Sequence, residues 1–159
     1  MPLERLWAGW RSQYVETAAR ADDCVLCRVL EADEYVVWRG VGCAAILNAY
    51  PYTSGHLMVL PVRHVGDVEA LDADEFAEVW SGVRDAVVAL KTAYTPDGLN
   101  VGVNIGRVAG AGVPGHFHVH ALPRWDGDTN FMGTVAETRV LPEALPATYD
   151  KVRAAWPQA

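Results

Sequence analysis

Positive charge is scarce in this chain: 13 Lys and Arg stand against 20 Asp and Glu, a formal net charge of −7. A general nucleic-acid binder needs a basic stripe to displace counterions, so that partner class is excluded. A small phosphate ligand is not excluded, because a few well-placed donors hold one against an unfavourable global field. Long apolar runs are missing as well. No stretch approaches the roughly 20 apolar residues of a membrane span, although 51% of the residues are hydrophobic. The opening Met1-Pro2-Leu3-Glu4-Arg5-Leu6-Trp7 lacks the basic-then-apolar layout of a secretory signal. The expectation is a cytoplasmic protein with no membrane partner. Repeats, low-complexity segments and linkers are absent, so the 159 residues read as one domain, large enough to bury a core without disulfides.

Cysteine is sparse too, with three in the chain, an odd number. Cys24 and Cys27 form a C-x-x-C, which in a cytosolic protein reads as metal or redox before structural disulfide. Cys43, alone in an apolar run, reads as a small buried hydrophobe.

What is present is an alternation of short strands around one long helix. Tyr35–Trp38 and Cys43–Leu47 flank a Gly-Val-Gly turn and predict a hairpin. The loop from Asn48 to Gly55 carries Pro, Ser and Gly, and Leu57–Pro61 follows as a third strand. Over residues 72–94, Phe76, Trp80, Val83, Val87, Leu90 and Tyr94 recur every three or four positions, which predicts a helix with these along one face. Asp72 is its expected N-cap, and Glu75 three positions on completes a capping box. Leu99–Asn104 and Phe117–Leu122 complete the strands, joined by a loop rich in Gly, Ala and Pro. The order predicts an α+β fold, an antiparallel sheet with a helix on one face. Residues 1–20, rich in Trp, Arg and Tyr, are expected to form an N-terminal arm. The domain is expected over 21–159, with a C-terminal extension from about residue 134.

Histidine carries the chemistry. Three of the five histidines stand at alternate positions in Gly115-His116-Phe117-His118-Val119-His120-Ala121. Alternate residues of a strand share a face, so three imidazoles point to one side and Phe117, Val119 and Ala121 to the other. Imidazole titrates nearest neutral pH, which makes the cluster a candidate active site. The plain alternative is a surface cluster or a metal site alone.

His116-Phe-His118-Val-His120-Ala-Leu resembles the signature of the histidine-triad family, in which three histidines alternate with apolar residues. Asn48, with His56 eight residues later in Ser-Gly-His-Leu-Met-Val-Leu-Pro, resembles that family's nucleotide-contacting loop and strand. The segment Pro123-Arg124-Trp125-Asp126-Gly127-Asp128-Thr129-Asn130-Phe131-Met132 is similar to the bacterial diadenosine tetraphosphate phosphorylase-like branch.

The resemblance implies the family's sheet-and-helix fold and an enzyme acting on a nucleotide through a covalent nucleotidyl-histidine. His118, the middle histidine, would be the nucleophile, and His120 would stabilise developing phosphate charge. His56 would buttress the triad or act as its proton partner; by itself it reads equally as a core histidine. Asn48, Asn104 and Gly112 are implied substrate contacts. Cys24, Cys27, His64 and His116 are an implied four-ligand zinc site, closed to water and therefore structural. No organic cofactor is expected. Inorganic phosphate is an expected co-substrate, with Arg124 as its ligand or, alternatively, as the ion-pair partner of Asp126 or Asp128. One departure stands out: many relatives carry Gln or Ser just before the triad, where this chain has Gly112-Val113-Pro114-Gly115. The missing donor must come from backbone, from Arg107 or from a partner chain, or the leaving-group chemistry differs. Relatives are usually homodimers, and Phe76, Trp80 and Val83 could supply that surface or belong to a monomer core. The competing functions are a hydrolase of dinucleoside polyphosphates or phosphoramidates, a low-turnover nucleotide-binding protein, and a zinc-stabilised interaction module.

Overall fold

A computed structural model describes residues 24–128 and 142–158. The expected N-terminal arm, and the Thr129–Met132 end of the branch-like segment, lie outside the described residues. The described elements run α1 (Val25–Ala32), β1 (Val36–Arg39), β2 (Cys43–Leu47), β3 (Leu57–Pro61), a 3-10 turn (Val68–Ala70), α2 (Ala73–Tyr94), β4 (Gly98–Val103), β5 (Val119–Arg124) and α3 (Leu145–Ala155). The five strands form one sheet in the order β1-β2-β3-β5-β4, and every neighbouring pair is antiparallel. This is the expected α+β architecture, with the long helix packed on the sheet. The helices α1 and α3 are additions to it.

The two faces of the sheet serve different purposes. Cys43, Ala45, Leu47, Leu57, Val59, Phe117, Val119 and Ala121 pack with Val79, Val83, Ala86 and Leu90 of α2 and with Val152 and Trp156 at the C-terminal end. On the opposite face Val36, Ala44, Ile46, Met58 and Leu60 pack against Leu26 and Leu30 of α1. Met58 is the register partner of His120, so the histidine face is the one that α1 covers.

The long helix begins as its sequence predicts. Asp72 accepts from the Glu75 amide at 2.8 Å, and the Glu75 carboxylate accepts from the Asp72 amide at 3.1 Å. Its buried stripe, however, is Val79, Gly82, Val83, Ala86, Ala89 and Leu90, while Phe76 and Trp80 are exposed. Small residues win this face because the helix lies close to the sheet. A Cβ on Gly82 would sit 3.1 Å from Val59 and 3.3 Å from Trp38.

Two strands start later than their sequence pattern suggests. Tyr35 has a left-handed φ of 53°, so β1 cannot begin before Val36. The last expected strand begins at Val119 instead of Phe117, because its partner β3 ends at Pro61, which has no N–H to continue the ladder. Phe117 donates instead to the Val65 carbonyl at 2.6 Å.

Candidate active site

The loop between β2 and β3 is closed by the Asn48 amide, which donates to the His56 carbonyl at 2.9 Å. Gly55 makes this closure possible: its φ is +82°, and a Cβ there would meet the Tyr94 ring at 2.8 Å. His56 is thereby set beside β5. Its Nε2 lies 2.9 Å from Nδ1 of His120. The His118 ring is 4.9 Å from the His120 ring, and His56, His118 and His120 are all buried. The structure thus brings the three candidate catalytic residues into one contiguous group.

Partners that can only accept, or only donate, fix which nitrogen of each ring carries hydrogen. His118 Nδ1 lies 2.7 Å from the carbonyl of His116, so Nδ1 holds the proton and the lone pair is on Nε2. Burial pushes the His118 pKa down, partly offset by that same backbone bond, so the neutral ring is favoured. A buried neutral imidazole with an Nε2 lone pair is a competent nucleophile.

His116 is wired the opposite way. Its Nε2 donates to the Pro61 carbonyl at 2.8 Å, which leaves the Nδ1 lone pair for the sulfurs. Nδ1 is 3.4 Å from Cys24 Sγ and 3.5 Å from Cys27 Sγ, and Cys27 Sγ is 3.4 Å from His64 Nδ1. Cys24 caps α1 and Cys27 follows in its first turn, so one helix end delivers both thiols. All four ligand atoms lie within 4.8 Å of one another. Tetrahedral zinc with ordinary Zn–S and Zn–N bonds places sulfur and nitrogen roughly 3.5 Å apart. The donor set and its spacing therefore fit a metal ion, with no fifth protein ligand needed. Cys43 is fully buried, and desolvation with the nearby Glu78 carboxylate raises its thiol to about 12, in keeping with an inert packing role.

The expected substrate contacts are placed unevenly. Asn48 is half-buried against the His56 ring, with Nδ2 at 3.4 and 3.5 Å from its two nitrogens and Oδ1 accepting from the Tyr50 amide. Asn104 follows β4 one step beyond the Val103–Val119 pair, level with His118. Gly112 lies half-buried in the loop ahead of the triad. Arg124, at the far end of β5, is held by Asp128 at 2.5 and 2.8 Å and by Asn100 at 2.7 Å, the ion-pair alternative of the sequence reading. One residue escaped the sequence analysis. The Tyr52 amide donates to His56 Nδ1 at 3.1 Å, and its ring lies 4.6 Å from that of His56. Every residue but proline has an amide, so nothing in the sequence marks this one.

The HIT domain matches residues 29–127. The chain belongs to the histidine-triad family. Histidine-triad domains are nucleotidyl transferases and hydrolases, and this chain is an enzyme of that kind. It is 35% identical to the AP-4-A phosphorylase of Mycobacterium tuberculosis, over 97% of this chain and 85% of that protein. Among solved structures it is similar to a hypothetical histidine triad nucleotide-binding protein of Sulfolobus tokodaii, at 32% identity and a TM-score of 0.69, over 83% of this chain and 91% of that one. It is also similar to a zinc-bound histidine triad family protein of Mycobacterium smegmatis, at 26% identity and a TM-score of 0.67, over 84% and 92% of the two chains. Among the described residues no helix is long and apolar enough to cross a membrane.

Proposed function

We propose that this histidine-triad protein is a cytoplasmic phosphorylase that splits diadenosine tetraphosphate into ADP and ATP, with inorganic phosphate as acceptor. The observation that carries the reading is the tautomer of His118, whose Nδ1 proton is held by the His116 carbonyl and whose Nε2 is nucleophilic. His118 Nε2 attacks the α-phosphorus, ATP departs, and phosphate then takes the adenylyl group from the histidine. His120 donates to the phosphate oxygens, with His56 behind it. Asn48, Asn104 and the backbone at Gly112 are the proposed substrate contacts. Glycines in that loop let amides approach the phosphates and replace the missing Gln or Ser. Arg124 is left out of the proposed contacts, because binding phosphate would require it to give up a bidentate partner. The similarity to the AP-4-A phosphorylase supports the substrate and the acceptor.

Cys24, Cys27, His64 and His116 would hold a structural zinc that ties α1 to the start of β5. When bound, zinc supplies folding energy to the site rather than reaction chemistry. A homodimer is proposed with the exposed Phe76 and Trp80 at its interface; Val83 is buried within its own chain and is not available. Incubation of the purified protein with diadenosine tetraphosphate, with and without phosphate, tests the reading. Phosphate-dependent formation of ADP plus ATP supports it. AMP plus ATP regardless of phosphate makes the protein a hydrolase.

A further inference from the structure

Positive charge is scarce in this chain, and most of what the structure describes is already committed. Arg39, Arg63, Arg84, Arg124 and Lys151 each pair with a carboxylate. Arg153 lies over the Tyr149 ring, and Arg28 is engaged as well. Among the described residues this leaves two cations without a partner, Lys91 and Arg107. Lys91 stands in the last turn of α2, across the sheet from the histidine face. Arg107 is exposed in the loop that runs from Asn104 to the triad.

That loop is a built turn. The Ala111 amide donates to the Gly106 carbonyl at 3.2 Å and the Gly110 amide to the Arg107 carbonyl at 2.9 Å, the nested bonds of a Schellman-type closure. Gly106 and Gly110 supply the positive φ that it needs, +80° and +96°, and buried Ala111 anchors it to the body. Arg107 stands three residues from Asn104, a span of at most about 11 Å. Asn104 in turn follows β4 level with His118. The turn therefore carries an uncommitted guanidinium within reach of phosphates held at His118.

We propose that Arg107 binds the acceptor phosphate and so selects phosphate over water as the group that takes the nucleotide from the enzyme. The inference rests on the phosphorylase reading above and assigns the subsite of its second step. In the first step the bond from His118 Nε2 to the α-phosphorus forms as the bond to the bridging oxygen breaks, and ATP leaves with the electron pair. An oxygen of hydrogen phosphate then bonds to the same phosphorus. The P–N bond breaks, its pair returns to Nε2, and the proton of the hydrogen phosphate stays on the ADP that forms. Displacement is in line, so the acceptor enters where the leaving chain departed. Water is in large excess there, and phosphate prevails only by being held in place. A guanidinium does this selectively, because its planar fork matches two phosphate oxygens and its charge favours an anion over a neutral molecule.

Product analysis on the intact protein tests the assignment. Arg107→Ala should raise KM for phosphate by about 10-fold or more, the scale of one lost charge-assisted hydrogen bond. Its products from diadenosine tetraphosphate should shift from ADP toward AMP. Arg107→Lys keeps the charge without the fork and should fall between the two in both measures. Adenylylated His118, detected by mass spectrometry without added phosphate, reports the first step separately. An unchanged KM for phosphate with an unchanged ratio of ADP to AMP overturns the inference. So does slower formation of adenylylated His118 with that ratio preserved. If Arg107→Ala does not fold, the lysine variant decides by the same ratio. A parent protein that yields AMP plus ATP with or without phosphate defeats the phosphorylase reading itself, and the subsite with it.

Discussion

His116 and His118 stand two residues apart, both buried and both bonded to a backbone carbonyl, yet they offer opposite nitrogens. His116 gives its Nε2 proton to Pro61 and turns Nδ1 toward two sulfurs. His118 gives its Nδ1 proton to His116 and presents Nε2. The same side chain becomes a metal ligand in one place and a nucleophile in the other, according to which nitrogen a carbonyl takes. The comparison also joins the two sites. The carbonyl that orients the proposed nucleophile belongs to the candidate metal ligand.

Substitution at the two positions should break different things. His118→Ala should lower turnover on the order of 10⁴-fold or more, as loss of a nucleophile does, while bound metal per chain stays at the parent level. His116→Ala should lose the metal first, as measured by plasma emission, and turnover with it. Cys24→Ser sharpens the same contrast from the sulfur side. It should weaken metal affinity by more than about 100-fold, beyond the loss seen for outer partners of a ligand. Removing the metal with a chelator should lower stability by about 4 kcal/mol relative to protein in metal 1,000-fold above Kd. An unchanged melting temperature would show that no metal is holding α1 to the sheet.

The loop that supports His56 gives a smaller effect. Gly55→Ala introduces a Cβ at positive φ against the Tyr94 ring and should cost about 1–3 kcal/mol in chemical denaturation. The smallest effect belongs to the rim of α2. Arg63 and the Asp72 backbone hold the Glu75 carboxyl at about 2, below its ordinary 4.5. Its contribution is complete above 4.5 and is lost as pH falls through about 2. Glu75→Gln should therefore lower the melting temperature slightly at neutral pH, and the two proteins should converge near pH 2.

The elements with strong local signals were readable. The capping box of Asp72 and Glu75 forms as written, because cap chemistry involves residues three apart and needs no tertiary partner. The strands Cys43–Leu47 and Leu57–Pro61 match residue for residue, since apolar runs with turn residues on both sides leave little choice of boundary. The buried stripe of α2 was not readable in the same way. Periodicity favours the large Phe76 and Trp80, whereas close approach to the sheet selects Gly82 and Ala86. Helix α1 is only eight residues long, too short for a periodic signal, and it turns out to deliver both thiols.

The sequence by itself determined the alternation of imidazoles with Phe117, Val119 and Ala121, and hence two chemically distinct faces at the start of β5. It also determined the pool of ligand types, sulfur and nitrogen, from which a metal site could be drawn. Only the tertiary structure decided what the imidazoles of His116 and His118 do. Their protons are assigned by Pro61 and by the His116 carbonyl, groups that every chain repeats along its backbone. Their identity comes from where the fold ends β3.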